Sequence, residues 1–185
     1  DTIVGNEHDD TSLVLRGNDG NDHIVGGLGD DIIEGGEGND YLIGAGGSNT
    51  FVVAPNEGVD TIVDFKPGDR LVFNEFGINF GANGTLPSEI TISESEDPTN
   101  QKDWLLTISK STANGMLSSS VLFLGLREVY ASVEAFESFL ASSVDFTETL
   151  DLSAIDPLQS EFELDINPLS IINDLHERND LFGDI

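Results

Sequence analysis

Apolar residues recur at a fixed interval in the first third of the chain. Ile24, Ile33, Leu42 and Phe51 stand nine residues apart, each inside a short triplet: HIV, IIE, YLI and TFV. Ile, Val, Leu and Phe suit pleated, half-buried backbone, so each triplet predicts a short strand. The six residues between successive triplets are mostly Gly, Asn and Asp, which turn the chain. Further along the pattern changes. EITISES and WLLTIS alternate apolar with polar positions, and SSVLFLGL is a third apolar run, with ESEDPTN and KSTANGMLSS as connecting loops. These predict three longer strands. In VYASVEAFESFLASSV, residues 129–144, Val133, Phe136 and Leu140 share one helical face while Glu134 and Glu137 lie on another, which predicts a helix.

The nine-residue interval is a true repeat. GNDGNDHIV, GGLGDDIIE and GGEGNDYLI follow one another over residues 17–43, and a degenerate GAGGSNTFV occupies 44–52. Two units make one coil, so residues eighteen apart stack along one sheet. Ile24 then lies over Leu42, and Ile33 over Phe51 in the facing column. One coil cannot bury its apolar side chains alone, so coils must stack into a parallel β-roll. Stacking also sets Asp22 above Asp40 and Asp31 above Asn49. Two such carboxylates repel by about 1–4 kcal/mol, depending on the local dielectric. A hard divalent cation that takes six to eight oxygens turns that repulsion into ligation, and the turns add backbone carbonyls. Magnesium, with its tighter octahedron and reluctance to shed water, fits less well than calcium.

The units match GGxGxDxUx and so resemble the repeats-in-toxin (RTX) family, whose calcium-loaded rolls occur in many type I-secreted bacterial proteins. The resemblance implies that one turn gives carbonyls from positions 2 and 4 with the acid at position 6. The turn eighteen residues later then gives positions 1 and 3 with its own acid. On that basis one calcium site comprises Asn18, Gly20 and Asp22 with Gly35, Glu37 and Asp40. A second comprises Gly27, Gly29 and Asp31 with Gly44, Gly46 and Asn49, where the neutral Asn49 replaces an acid and weakens or closes the site.

Upstream, GNEHDDTSL at 5–13 reads as a whole unit in which His8 replaces the fourth-position glycine. Val14 to Arg16 are then three extra residues, and Asp10 pairs with Asp31 using carbonyls near Asn6, His8, Gly26 and Leu28. The chain opens in mid-repeat, which reads as a piece of a longer protein. Downstream, GVDTIVDFKPGDRLVF at 58–73 resembles the segment that ends such rolls, with Ile62, Phe65, Leu71 and Phe73 inward and a turn at Pro67-Gly68. In secreted proteases of the family the first and last acids of this segment can hold another calcium ion. They correspond here to Asp60 and Asp69, one residue short in spacing.

The expected architecture is therefore all-β: a parallel β-roll at 1–73, then a β-sandwich-like cap ending in a helix at 74–144. The cap would cover open strand edges that otherwise invite aggregation. Trp104, inside an apolar run, reads as core, and His23, at repeat position 7, as outward-facing. The acidic stretch 145–185 ends in DLFGDI and resembles an uncleaved type I secretion signal.

Charge narrows the partners. The chain carries 35 acidic against 7 basic residues, a formal net charge of −28. That field repels nucleic acid and anionic membrane surfaces. No cysteine is present, so neither a disulfide nor a thiolate metal site is available, and no apolar run is long enough to span a bilayer. The three histidines, His8, His23 and His176, do not form H-E-x-x-H, and G-x-S-x-G is absent, so the fragment carries no protease or lipase motif. The sequence thus reads as a secreted, non-enzymatic module that binds several calcium ions and folds on binding them, with type I secretion machinery as a partner. The alternative is a polysaccharide- or surface-binding module of a secreted epimerase or adhesin.

Overall fold

Residues 1–5, 8, 10–74, 76, 86–95 and 103–145 are described by a computed structural model. Its first half is a parallel β-solenoid of about three turns. Strands β1 (Thr2–Val4), β3 (His23–Val25), β5 (Tyr41–Ile43) and β7 (Val59–Ile62) lie side by side in one sheet. Strands β2 (Val14–Asp19), β4 (Ile32–Glu37), β6 (Thr50–Val53) and β8 (Arg70–Phe73) form the other. All of these neighbours are parallel. Ile24 pairs with Leu42 and Ile33 with Phe51, and all four are fully buried. The expected columns are thus in place. Ile62, Phe65, Leu71 and Phe73 continue the core inward as expected.

The register at the start of the roll differs from the sequence reading. Val14 pairs with Ile32 and Leu15 with Ile33, so Val14–Arg16 is a strand of the stack and not an insertion. The extra residues fall earlier, because Thr2 pairs with His23. Burial decides the matter. The register read from sequence puts Ser12 at the inward position, whereas the observed one puts Leu15 there, 5% exposed, over Ile33.

The capping strands take a particular form: they extend a sheet of the roll itself. β11 (Gly115–Phe123) lies parallel to β7, and β10 (Trp104–Thr112) and β9 (Ile90–Glu94) follow antiparallel, giving seven strands. The free edge of β7 is paired when Ser120 N donates to Gly58 O and Leu124 N to Ile62 O, both at 3.0 Å. The second sheet gains β12 (Val144–Asp145) beside β8. A helical turn, α1 (Leu126–Val129), precedes the helix α2 (Val133–Ser143), so the predicted helix begins four residues late. Ser132 Oγ accepts the N–H of Ala135 at its start, a serine N-cap. Phe136, Phe139 and Leu140 of α2 are buried in one core with the roll and the capping strands. Trp104 is core, as expected: it is 1% exposed, stacks on Phe136 and donates Nε1–H to Tyr130 O. His23 lies on the outer face and stacks on Tyr41 with ring centroids 5.1 Å apart. Of the acidic extension 145–185, all but Asp145 lies outside the described residues, as does Asn6.

Candidate metal centre

Each strand of the roll is preceded by a turn, and the last residue of each turn stacks on its counterpart in the next coil. This makes two columns. The first runs through Asp1, Asp22 and Asp40, each just ahead of a strand of the larger sheet, and through Asp60, the second residue of β7. The second runs through Leu13, Asp31, Asn49 and Asp69 ahead of those of the smaller sheet. One hydrogen bond repeats down both. Asp22 N donates to Asp40 Oδ1 at 2.8 Å, and Asp40 N to Asp60 Oδ1 at 3.2 Å. In the second column Leu13 N donates to Asp31 Oδ1 at 2.9 Å, Asp31 N to Asn49 Oδ1 at 3.0 Å and Asn49 N to Asp69 Oδ1 at 2.9 Å. Each bond fixes one side-chain oxygen and thereby aims the other group.

What the second group meets separates the columns. In the first, Asp22 Oδ2 and Asp40 Oδ2 are buried without a hydrogen-bond partner. A buried polar atom left unpaired costs about 1–3 kcal/mol, and more if charged, so these two oxygens are suited to a cation. The space around these oxygens is lined with more oxygen. A Cβ built on Gly17 would fall on Asp22 Oδ2 and Gly35 O, and one on Gly36 on Asn18 O. Gly20 O borders the same turn through Gly38, while Glu37 O accepts Gly20 N at 2.7 Å. The structure therefore brings the six residues of the first predicted site into one stacked step. The donors are all hard oxygens, which fit calcium. Among the described residues no three carboxylate or imidazole groups converge on one point, so an ion at this step would draw most of its ligands from backbone carbonyls.

The second predicted set is stacked as well, yet it bonds to itself. Asp31 Oδ2 accepts Gly27 N at 2.7 Å, Gly46 N donates to Gly27 O at 2.8 Å and Asn49 Nδ2 donates to Gly46 O at 2.8 Å. Gly44 O lies against Gly26, and Gly29 O against Gly47. The upstream set is not assembled as predicted. Leu13, not Asp10, stands over Asp31, a consequence of the shifted register. Asp10 and His8 are exposed, and the backbone carbonyls of Asp10 and Thr11 approach Gly29. Gly5 lies over Gly26, and Leu28 is half exposed. Asp60 and Asp69 also part company. Asp60 continues the first column beneath Asp40, and Asp69 the second beneath Asn49.

That placement was open to a closer reading of the pattern. Asp60-Thr61-Ile62-Val63 repeats the closing half of the unit, Asp40-Tyr41-Leu42-Ile43, after the glycine-rich half has changed. Asp69-Arg70-Leu71-Val72 does the same for Asn49-Thr50-Phe51-Val52. Both steps span twenty residues instead of eighteen.

Burial dominates the electrostatics. It pushes the Asp60 carboxyl up to about 8, with the neighbouring charges of Asp40 and Glu57 adding to the shift. Asp40 is raised by burial too, and further by Asp22. Burial also raises Asp69, against the opposing pull of the N–H groups of Asn49 and Lys66 and of the Lys66 charge. The first column is thus a file of crowded carboxylates, each holding its proton more firmly than usual at Asp40 and Asp60.

Residues 16–51 match the family described as RTX calcium-binding nonapeptide repeat, four copies. Among solved structures the chain is similar to the R2 subunit of the Azotobacter vinelandii mannuronan C5-epimerase AlgE6. Identity is 25%, over 81% of this chain and 95% of that one, with a TM-score of 0.47. It is similar to the R3 subunit of the same enzyme at 25% identity, over 84% and 86% of the two chains, with a TM-score of 0.45. A comparison with curated proteins gave no match.

Proposed function

With RTX calcium-binding repeats at residues 16–51, we propose that this chain is a calcium-gated folding module of a secreted protein. The observation that carries the reading is the pair of buried, unpartnered oxygens, Asp22 Oδ2 and Asp40 Oδ2, eighteen residues apart and bordered by the Gly35 and Asn18 carbonyls. Calcium, when bound, supplies positive charge and a large, tolerant oxygen coordination shell. The chain does the rest. Asp22 and Asp40 are held by the column's hydrogen bonds with their free oxygens aimed at one step. Asn18, Gly20 and Gly35 direct carbonyls toward it, and Asp60 extends the column to a further step. Without a cation these acids repel, and a chain of net charge −28 gains little by bringing them together.

The sites do not exist in the unfolded chain, so binding free energy becomes folding free energy. Extracellular calcium modules bind with Kd of roughly 0.1–1 mM. At about 1 mM calcium, a site with Kd of about 0.1 mM contributes about 1.4 kcal/mol. Several such steps suffice to move a marginal fold from open to closed. The low-calcium interior of a cell then leaves the repeats open for passage through type I secretion machinery, and the exterior closes them.

Far-UV circular dichroism of the 185-residue chain during calcium titration, with magnesium as control, tests this. A cooperative gain of β signal with calcium is expected, and Asp40→Asn should shift its midpoint to calcium concentrations on the order of tenfold higher. A β-rich spectrum complete in chelator and indifferent to calcium would sink the reading.

A further inference from the structure

The two columns end differently. The last step of the second column sets the turn 44–49 against the segment 64–69, and a lysine reaches into it. Lys66 Nζ donates to Ala45 O at 3.0 Å and lies 3.4 Å from Asp69 Oδ1. Ala45 holds the second position of its unit, the position from which Asn18 turns its carbonyl toward the first column's metal step. The Asp69 side chain is fully buried, whereas that of Lys66 is 38% exposed. The rest of the step is satisfied from within. Asp69 Oδ2 accepts Lys66 N at 3.0 Å, and Asn49 Nδ2 is held by Gly46 O. The Asp64 carboxylate accepts Gly44 N and Ala45 N at 2.8 and 2.7 Å. Where the first column faces Asp40 with Asp60, the second faces neutral Asn49 with Asp69 and adds one ammonium.

We propose that Lys66 is a tethered cation in the place a metal ion would otherwise take between Ala45 O and Asp69, so that the second column closes without metal. An ammonium is a compact charge with three donors. Here one donor meets a carbonyl, the carboxylate lies beside it, and the exposed side leaves room for water. Calcium would need six to eight oxygens, and this step has already committed its own to N–H groups. The junction between roll and cap is therefore held in the absence of calcium, while the first column waits for it. The inference rests on the calcium reading of that first column.

Two variants of the full chain test it. Hydrogen exchange over residues 44–73 is measured in chelator for the wild type and Lys66→Gln. Protection in the wild type and a loss of about tenfold or more in the variant are expected. Equal protection in both, or none in the wild type, overturns the proposal. The double variant Asn49→Asp with Lys66→Gln restores an acid and removes the cation. By calorimetric titration it should bind one more calcium ion than the wild type, and an unchanged count overturns the proposal. A wild type that takes up no calcium at all would instead refute the proposed function, and the exchange comparison in chelator would still judge Lys66.

Discussion

Asp60 shows how burial ties the stability of the fold to a single proton. Its carboxyl, pushed up to about 8 in the folded chain, has an ordinary value of 3.8 when burial is lifted. Between those values the folded state holds a proton that the unfolded state has released. Stability of the metal-free fold therefore falls as pH rises, because the unfolded chain binds fewer protons. The contribution is fully present below about 3.8 and lost as pH climbs through about 8. In chelator the β signal that persists should decline from about pH 5 to about pH 8.5, and Asp60→Asn should flatten part of that slope. A calcium ion held by the Asp60 carboxylate would have to displace the same proton, so the calcium midpoint of the wild type should tighten over the range in which the metal-free fold weakens. Titration at several pH values reads both effects, and a slope that Asp60→Asn leaves untouched would assign the proton elsewhere.

At the level of the turn, glycine matters where another coil comes closest. Gly36 has φ +99°, and a Cβ there would land on the carbonyl oxygen of Asn18, in the proposed calcium step. Gly20 has φ +118° but open space around it. Alanine at Gly20 should cost only the left-handed backbone strain, about 1–2 kcal/mol. Alanine at Gly36 carries a comparable strain and must also push a backbone carbonyl aside, so it should cost at least about 2 kcal/mol and weaken calcium binding as well. Urea midpoints at saturating calcium compare the two. Positions of this kind are why the roll was legible: Gly, Asp and an inward apolar residue are each demanded by a separate constraint, and Ile24, Leu42, Asp22 and Asp40 fell where the spacing put them. The start of the roll was less legible, because Leu13 stands where an acid is expected and only the burial of Leu15 fixes the register. Lys66 could not be read at all from spacing, since its role depends on a side chain reaching a carbonyl twenty-one residues earlier.

Across the whole molecule one hydrophobic core runs from Leu15 of the first described coil to Leu140 of the helix. Phe65 joins its parts, with ring centroids 5.8 Å from Phe51 in the roll, 5.2 Å from Phe123 in the capping strands and 5.8 Å from Phe139 in α2. Truncation of such a residue leaves a cavity shared by all three, so Phe65→Ala should cost about 3–5 kcal/mol. The loss should appear in roll and cap together as one urea transition, and two separate transitions in the variant would mean that the parts are stabilised independently. The cap is legible in its strands and not in its placement, because nothing local in SSVLFLGL says that β11 will lie parallel to β7. The eighteen-residue stacking interval also makes length an adjustable property of this architecture. Each coil offers the next the same edge of N–H and C=O groups, the same inward column and the same turn. A duplicated stretch equivalent to residues 17–34 would add one storey of about 4.8 Å and leave foundation and roof unchanged. Evolution can therefore lengthen or shorten such a chain in whole-coil increments by unequal recombination between repeats, and each increment adds or removes one tier of stacked turn acids.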